Sequence, residues 1–187
     1  MDHALQHLLK FESWERDSIL IDGHRRREFF LEYVHRYSWK DSMEFFTAWR
    51  EAATCGSQLR QDASSWDDSA MERLWMWGQD QGWNSDHVMT PEELQAFNGM
   101  QFPLTVFRGV ALAEGAQLSL EEPGSCWTLD QSKAEWFAKR AGDQGSAWLL
   151  TAKVQRADVL AYLGEREEEV MLIPECTPYI DAEATRL

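Results

Sequence analysis

Leu104-Thr105-Val106-Phe107-Arg108-Gly109-Val110-Ala111-Leu112 is the stretch at which the chain changes character. Its β-branched and aromatic residues predict a strand. Ser146 to Val154, Val159 to Leu163 and Val170 to Ile173 are further β-prone runs, divided by Gly, Pro or charged turns. One helix interrupts them, about Gln131 to Arg140, with Asp130 as its cap. Upstream the pattern is helical. Phe29, Tyr33 and Tyr37, then Trp39, Met43, Phe46, Arg50 and Ala53, recur mostly at spacings of three or four, as one helical face does. Ala70, Leu74 and Trp77 form a second face. Between them the polar stretch from Gly56 to Asp68 breaks the pattern, and Asp67, Asp68 or Ser69 serves as the next cap. Thr90-Pro91-Glu92-Glu93 is a sharper start signal, with Thr90 as N-cap, Pro91 in the first turn and Glu93 completing a capping box. That helix is expected to end near Asn98-Gly99. The fold class is therefore α+β, with a helical N-terminal region over 1–99 packed on a β core over 100–187 in one compact unit.

Composition narrows the class of protein. The 187 residues suit one globular domain, or a catalytic module with a helical extension. A hydrophobic content of 44% with ten Trp and nine Phe excludes a disordered chain. No apolar run approaches the roughly 20 residues of a membrane span, so a soluble protein is expected. Trp75, Trp77 and Trp83 are expected in the core. Residues Met1 to Leu9 read as a short amphipathic helix without the features of a cleaved signal, which predicts a cytoplasmic location. Cys55, Cys126 and Cys176 are odd in number and form no C-x-x-C pair, so neither a disulfide framework nor a metal site is expected. The net charge of -14 is spread over both halves and disfavours generic DNA binding, which needs a basic stripe. Arg25-Arg26-Arg27, the one basic cluster, is expected to be a solvated helix face.

Three short segments of the second half carry the chemistry: Phe107-Arg108-Gly109, Ser125-Cys126-Trp127-Thr128 and Glu167-Glu168-Glu169-Val170. No G-x-G-x-x-G turn or G-x-x-x-x-G-K-[ST] loop accompanies them. Strand alternation places Glu167 and Glu169 on one face, so that two carboxylates share a cleft. Glu165 and Glu168 belong to a solvated turn.

From Thr105 to Pro174 the pattern resembles the R-S-E class of mono-ADP-ribosyltransferases, which includes arginine-modifying bacterial toxins and phage-encoded enzymes. The resemblance implies a split β-sheet core that binds NAD as co-substrate, without a metal. By this likeness Arg108, flanked by Phe107 and Gly109, clamps the pyrophosphate side of NAD, a task suited to a planar guanidinium fork. The second family element is a strand with Ser-Thr-Ser or a variant such as Ser-Trp-Thr, followed by a helix with Ala and Phe at set positions. Cys126-Trp127-Thr128 and then Ala134, Phe137 and Ala138 reproduce its spacing. The family serine that holds the catalytic glutamate falls on Cys126, a weaker donor, or on Ser125 in a shifted register. Phe137 falls where the family stacks a ring on nicotinamide, and it also belongs to a buried helical stripe with Ala134 and Ala138. Arg140 falls where a second arginine reaches the phosphates, and a cation is favoured at a helix C-terminus in any case.

In that class the first and third glutamates of Glu-x-Glu do different work. The likeness gives Glu169 the stabilisation of the positive charge that develops on the ribose as nicotinamide leaves. Glu167 orients and deprotonates the acceptor. Ala161-Tyr162-Leu163 sits at the family's usual distance before the motif. The implied acceptor is macromolecular: a protein side chain, arginine first, with RNA or DNA bases second and NAD hydrolysis third. A toxin or phage-conflict role with a cognate antitoxin or inhibitor also follows from the likeness. The contrasting expectation is a non-catalytic acidic interaction or inhibitor protein on a decayed transferase fold, which net charge and Cys126 favour and the Arg108 and Glu169 pair opposes.

Overall fold

Asp41 and Glu44 explain where the first helical half breaks. The Asp41 carboxylate accepts from the Glu44 amide (2.9 Å), and the Glu44 carboxylate accepts from the Lys40 amide (2.9 Å). A new helix therefore starts after Asp41 with its own phase. The computed structural model describes residues 9–21, 25–54, 68–120, 123–140, 145–164, 168–173 and 180–187. Helices α1 (Trp14–Ser18), α2 (Arg26–Tyr33), α3 (Ser42–Thr54) and α4 (Asp68–Asp80) precede α5 (Pro91–Gly99). Strand β1 (Leu104–Ala113), β2 (Cys126–Thr128), helix α6 (Gln131–Lys139), then β3 (Gly145–Val154), β4 (Val159–Leu163), β5 (Glu169–Leu172) and β6 (Ala182–Arg186) follow. The protein is α+β. Its chain divides into two units, Met1–Gln58 with Ser69–Val88, and Leu59–Asp68 with Met89–Leu187. Helix α5 thus belongs to the unit that carries the sheet.

The first unit is built on aromatic packing. Phe45 lies within 5.0–6.1 Å of the rings of Phe30, Phe46, Trp39, Trp77 and Trp83, and Trp75 lies 4.8 Å from Phe46 and 4.9 Å from Trp49. Trp75, Trp77 and Trp83, expected in the core, are half-buried and edge this aromatic cluster. The buried stripe of α3 is Phe45, Phe46, Ala48, Trp49 and Ala52. Met43, expected on that face, is 58% exposed, because a periodicity counted across the break at Tyr37 to Asp41 carries the phase of α2 into α3. The arginine cluster is not uniformly solvated either. Arg27 is buried, and Arg26 Nε donates to the Ser18 carbonyl at 3.3 Å, since α2 turns that side onto α1. Asp17 is fully buried and accepts from the Phe11 amide (2.9 Å), the Tyr37 hydroxyl (3.2 Å) and Arg16 Nη2 (2.9 Å), which satisfies its charge. The expected N-terminal helix and the cap at Asp67 lie outside the described residues; α4 itself buries Met71 and Leu74.

In the second unit α5 starts with the predicted capping box: Glu93 N donates to Thr90 Oγ1 (3.2 Å) and Thr90 N to Glu93 Oε2 (2.9 Å). Six strands form one antiparallel sheet in the order β4-β5-β2-β1-β3-β6. Strands β1 and β3 pair along their whole length, from Leu104↔Val154 to Ala113↔Gly145. By contrast β1 and β2 pair through Phe107↔Thr128 alone, so β4-β5-β2 and β1-β3-β6 meet at a narrow seam. Helix α6 starts at Asp130, whose carboxylate accepts from the Ser132 (2.8 Å) and Lys133 (3.3 Å) amides, and it buries Ala134 and Ala138. Among the described residues no helix is long and apolar enough to cross a membrane.

Candidate functional site

The seam gathers most of the singled-out residues. Directly opposed residues of antiparallel strands project from one face. Phe107↔Thr128 and Thr128↔Glu169 therefore form a row across β1, β2 and β5, continued by Glu169↔Leu163 on β4. Cys126, two residues from Thr128 and paired with Met171, shares that face. Ser125 lies one residue before β2 and is held through its backbone, its carbonyl accepting from Leu172 N at 2.7 Å. Thr128 is buried, and its hydroxyl accepts from the Asp130 amide (3.1 Å), which fixes the turn from β2 into α6.

Arg108 starts from the opposite pleat of β1, and its guanidinium turns towards β2. There Nη1 donates to the Cys126 carbonyl. Its Nε is buried and has no hydrogen-bond partner among the described residues. The guanidinium lies over Gly124, a residue that the sequence analysis did not single out although Pro123-Gly124 is a turn signal. Trp127 is buried, and its indole N–H donates to the Gly124 carbonyl at 2.8 Å.

Strand β5 begins at Glu169. The preceding Glu168 is exposed and left-handed, with φ 51°, and its carbonyl accepts from Leu129 N at 3.1 Å. The extended backbone of β5 therefore does not include Glu168. Glu167 itself lies outside the described residues, as does Glu165. On the neighbouring β4, burial raises the pKa of the Tyr162 phenol, and the charges of Glu168 and Glu93 add to the effect.

Gly109 has a packing reason for being glycine. A Cβ there would overlap the Ala134 carbonyl and stand 2.6 Å from the Ala138 amide, so α6 lies directly on β1. Phe137 is half-buried and lines an open pocket of about 350 Å³ with Ser132, Lys133 and Trp136. The Arg140 guanidinium sits 5.0 Å from the Trp136 ring centroid and 5.6 Å from that of Phe137. Trp136 is 59% exposed, which puts this cation–π group on the outward side of α6, away from Ala134 and Ala138. Phe107, Cys126, Thr128 and Glu169 thus share one face at the seam, with the Arg108 head group beside β2, while Phe137 and Arg140 cluster on the helix. Among the described residues no group of three or more His, Cys, Asp or Glu is placed to hold a metal ion.

No protein-family model, no curated protein and no solved structure matches the chain.

Proposed function

We propose that this chain is a mono-ADP-ribosyltransferase that cleaves NAD along the seam between β1 and β2, its sheet being the split core of that class. One observation carries the proposal: Arg108, Cys126 to Thr128 and Glu169, far apart in sequence, lie on three adjacent strands, with Phe107, Thr128 and Glu169 in one register. The Nε of Arg108 supports it too, because a guanidinium donor without an acceptor among the described residues suits a phosphate oxygen.

In this mechanism Arg108, with Phe107 and Gly109 beside it, holds the pyrophosphate of NAD. Glu169 stabilises the positive charge that develops on the ribose as the bond to nicotinamide breaks, and nicotinamide departs without needing a strong general acid. Cys126 and Thr128, on the face of Glu169, border the carboxylate. Glu167 takes the proton of the incoming nucleophile, and ADP-ribose is transferred to it.

The acceptor is a protein side chain, arginine first, because a chain of net charge -14 attracts a basic partner and repels a polyanion. The enzyme acts in a cytoplasm, as a toxin or phage-conflict factor restrained by a cognate inhibitor. Incubation with NAD and a cell extract is expected to release nicotinamide and to leave label from NAD on protease-sensitive material. Nuclease-sensitive label moves the acceptor to RNA or DNA. No nicotinamide release with any extract leaves a non-catalytic acidic interaction protein.

A further inference from the structure

We infer that Gly124 and Trp127 are positioning residues that seat the Arg108 guanidinium beside β2 and so set how it meets a ligand. The inference rests on the NAD reading for the identity of that ligand, and on geometry alone for the socket. Gly124 has φ 82°, a conformation that an L side chain resists, and a Cβ built there would stand 2.7 Å from Arg108 Nη2 and 2.9 Å from its Cζ. The overlap falls on the mobile end of a side chain. A methyl group at Gly124 therefore moves the guanidinium in preference to the strands.

The other walls of the socket are also specific. Arg108 Nη1 donates to the Cys126 carbonyl, which fixes one arm of the fork. The buried Trp127 indole donates to the Gly124 carbonyl at 2.8 Å, which keeps that peptide under the guanidinium. With one arm tied down and the turn held beneath, Nε keeps its orientation, without a hydrogen-bond partner among the described residues. Gly124, Cys126 and Trp127 are within three positions of one another, so a single turn into β2 builds the seat for a residue on β1. This gives Trp127 a task apart from packing: its ring fills the core while its N–H holds the turn.

The test reads Arg108 directly. Phenylglyoxal labelling of Arg108, followed by peptide mass spectrometry, is expected to speed up severalfold in Gly124→Ala and in Trp127→Phe, which keeps a ring but lacks the donor. Calorimetric titration with NAD is expected to show an affinity about tenfold weaker in each variant, since a charge-assisted hydrogen bond is lost or misaligned. Gly124→Ala added to Arg108→Ala is expected to weaken NAD no further, as both changes act through one group. Thermal unfolding by circular dichroism checks the fold, and if Gly124→Ala fails to fold, Trp127→Phe carries the test. Arg108 labelling at the wild-type rate in the folded variants overturns the socket, and so does a full tenfold loss in the double variant beyond Arg108→Ala. Faster labelling in a protein whose wild type binds no NAD supports the socket and overturns the NAD reading.

Discussion

Gly109 of β1 and Ala134 of α6 are in backbone contact, with no room between them for a Cβ on the glycine. Because both neighbours at this point, the Ala134 carbonyl and the Ala138 amide, are main-chain groups, relief requires the whole helix to move. Gly109→Ala is therefore expected to destabilise the protein by about 1–3 kcal/mol or more, as overpacking does. Denaturant unfolding measures it, and an unchanged midpoint counts against this contact.

Tyr37 and Asp17 govern an alkaline limit of the first unit. Burial, reinforced by the Asp17 carboxylate, holds the Tyr37 phenol protonated well above the ordinary tyrosine pKa of about 10. Above that pH the unfolded chain gives up a proton that the folded chain keeps. The stability contributed by Tyr37 is thus fully present below about pH 10 and falls as pH rises, by up to about 1.4 kcal/mol per pH unit. Tyr37→Phe is expected to flatten that fall and, at neutral pH, to cost about 1–3 kcal/mol because Asp17 loses a buried donor. Denaturation at pH 7 and pH 11 separates the two effects; parallel pH slopes for wild type and variant contradict the assignment.

Local signals were the legible ones. The capping box at Thr90 and the cap at Asp130 were readable because the partners are two or three residues apart. Strand β4 appears as expected, and β1, β3 and β5 are offset by one residue at most. The equally local box at Asp41 and Glu44 went unrecognised, and Met43 was misplaced as a result. Strand β6, Ala182-Glu183-Ala184-Thr185-Arg186, carries little β-propensity, and its backbone pairing with β3 gives it order. At the site, sequence order alone singled out Arg108 and Glu169. That Gly124 lies under Arg108, and that Glu168 kinks the entry to β5, depends on φ angles and on contacts between strands.

The face shared by Cys126 and Glu169 favours Cys126 over Ser125 for the serine position of the proposed class. Cys126 is diagonal to Glu169 on one face, whereas Ser125 precedes the strand and contributes its carbonyl to Leu172. Cys126→Ser is therefore expected to retain or raise transferase activity, since a hydroxyl is the stronger donor. Ser125→Ala is expected to leave activity within about twofold, because Ser125 precedes β2 and its tie to β5 is through the backbone, which the substitution keeps. Loss of activity in Ser125→Ala with none in Cys126→Ala reverses the assignment.

Glu169 and Glu167 are predicted to fail in different ways. Glu169→Gln is expected to abolish both ADP-ribose transfer and NAD hydrolysis, because a neutral amide provides no charge to stabilise the developing cation; losses of two orders of magnitude or more are typical when such stabilisation is removed (~10²–10³-fold). Glu167→Gln is expected to suppress transfer and leave measurable nicotinamide release, because water still captures the ribosyl cation while the acceptor loses its base. Free nicotinamide and labelled acceptor, followed in parallel on the same samples, separate the two activities, and circular dichroism confirms that each variant is folded. Equal loss of both activities in Glu167→Gln, or full transfer by Glu169→Gln, refutes this division of labour.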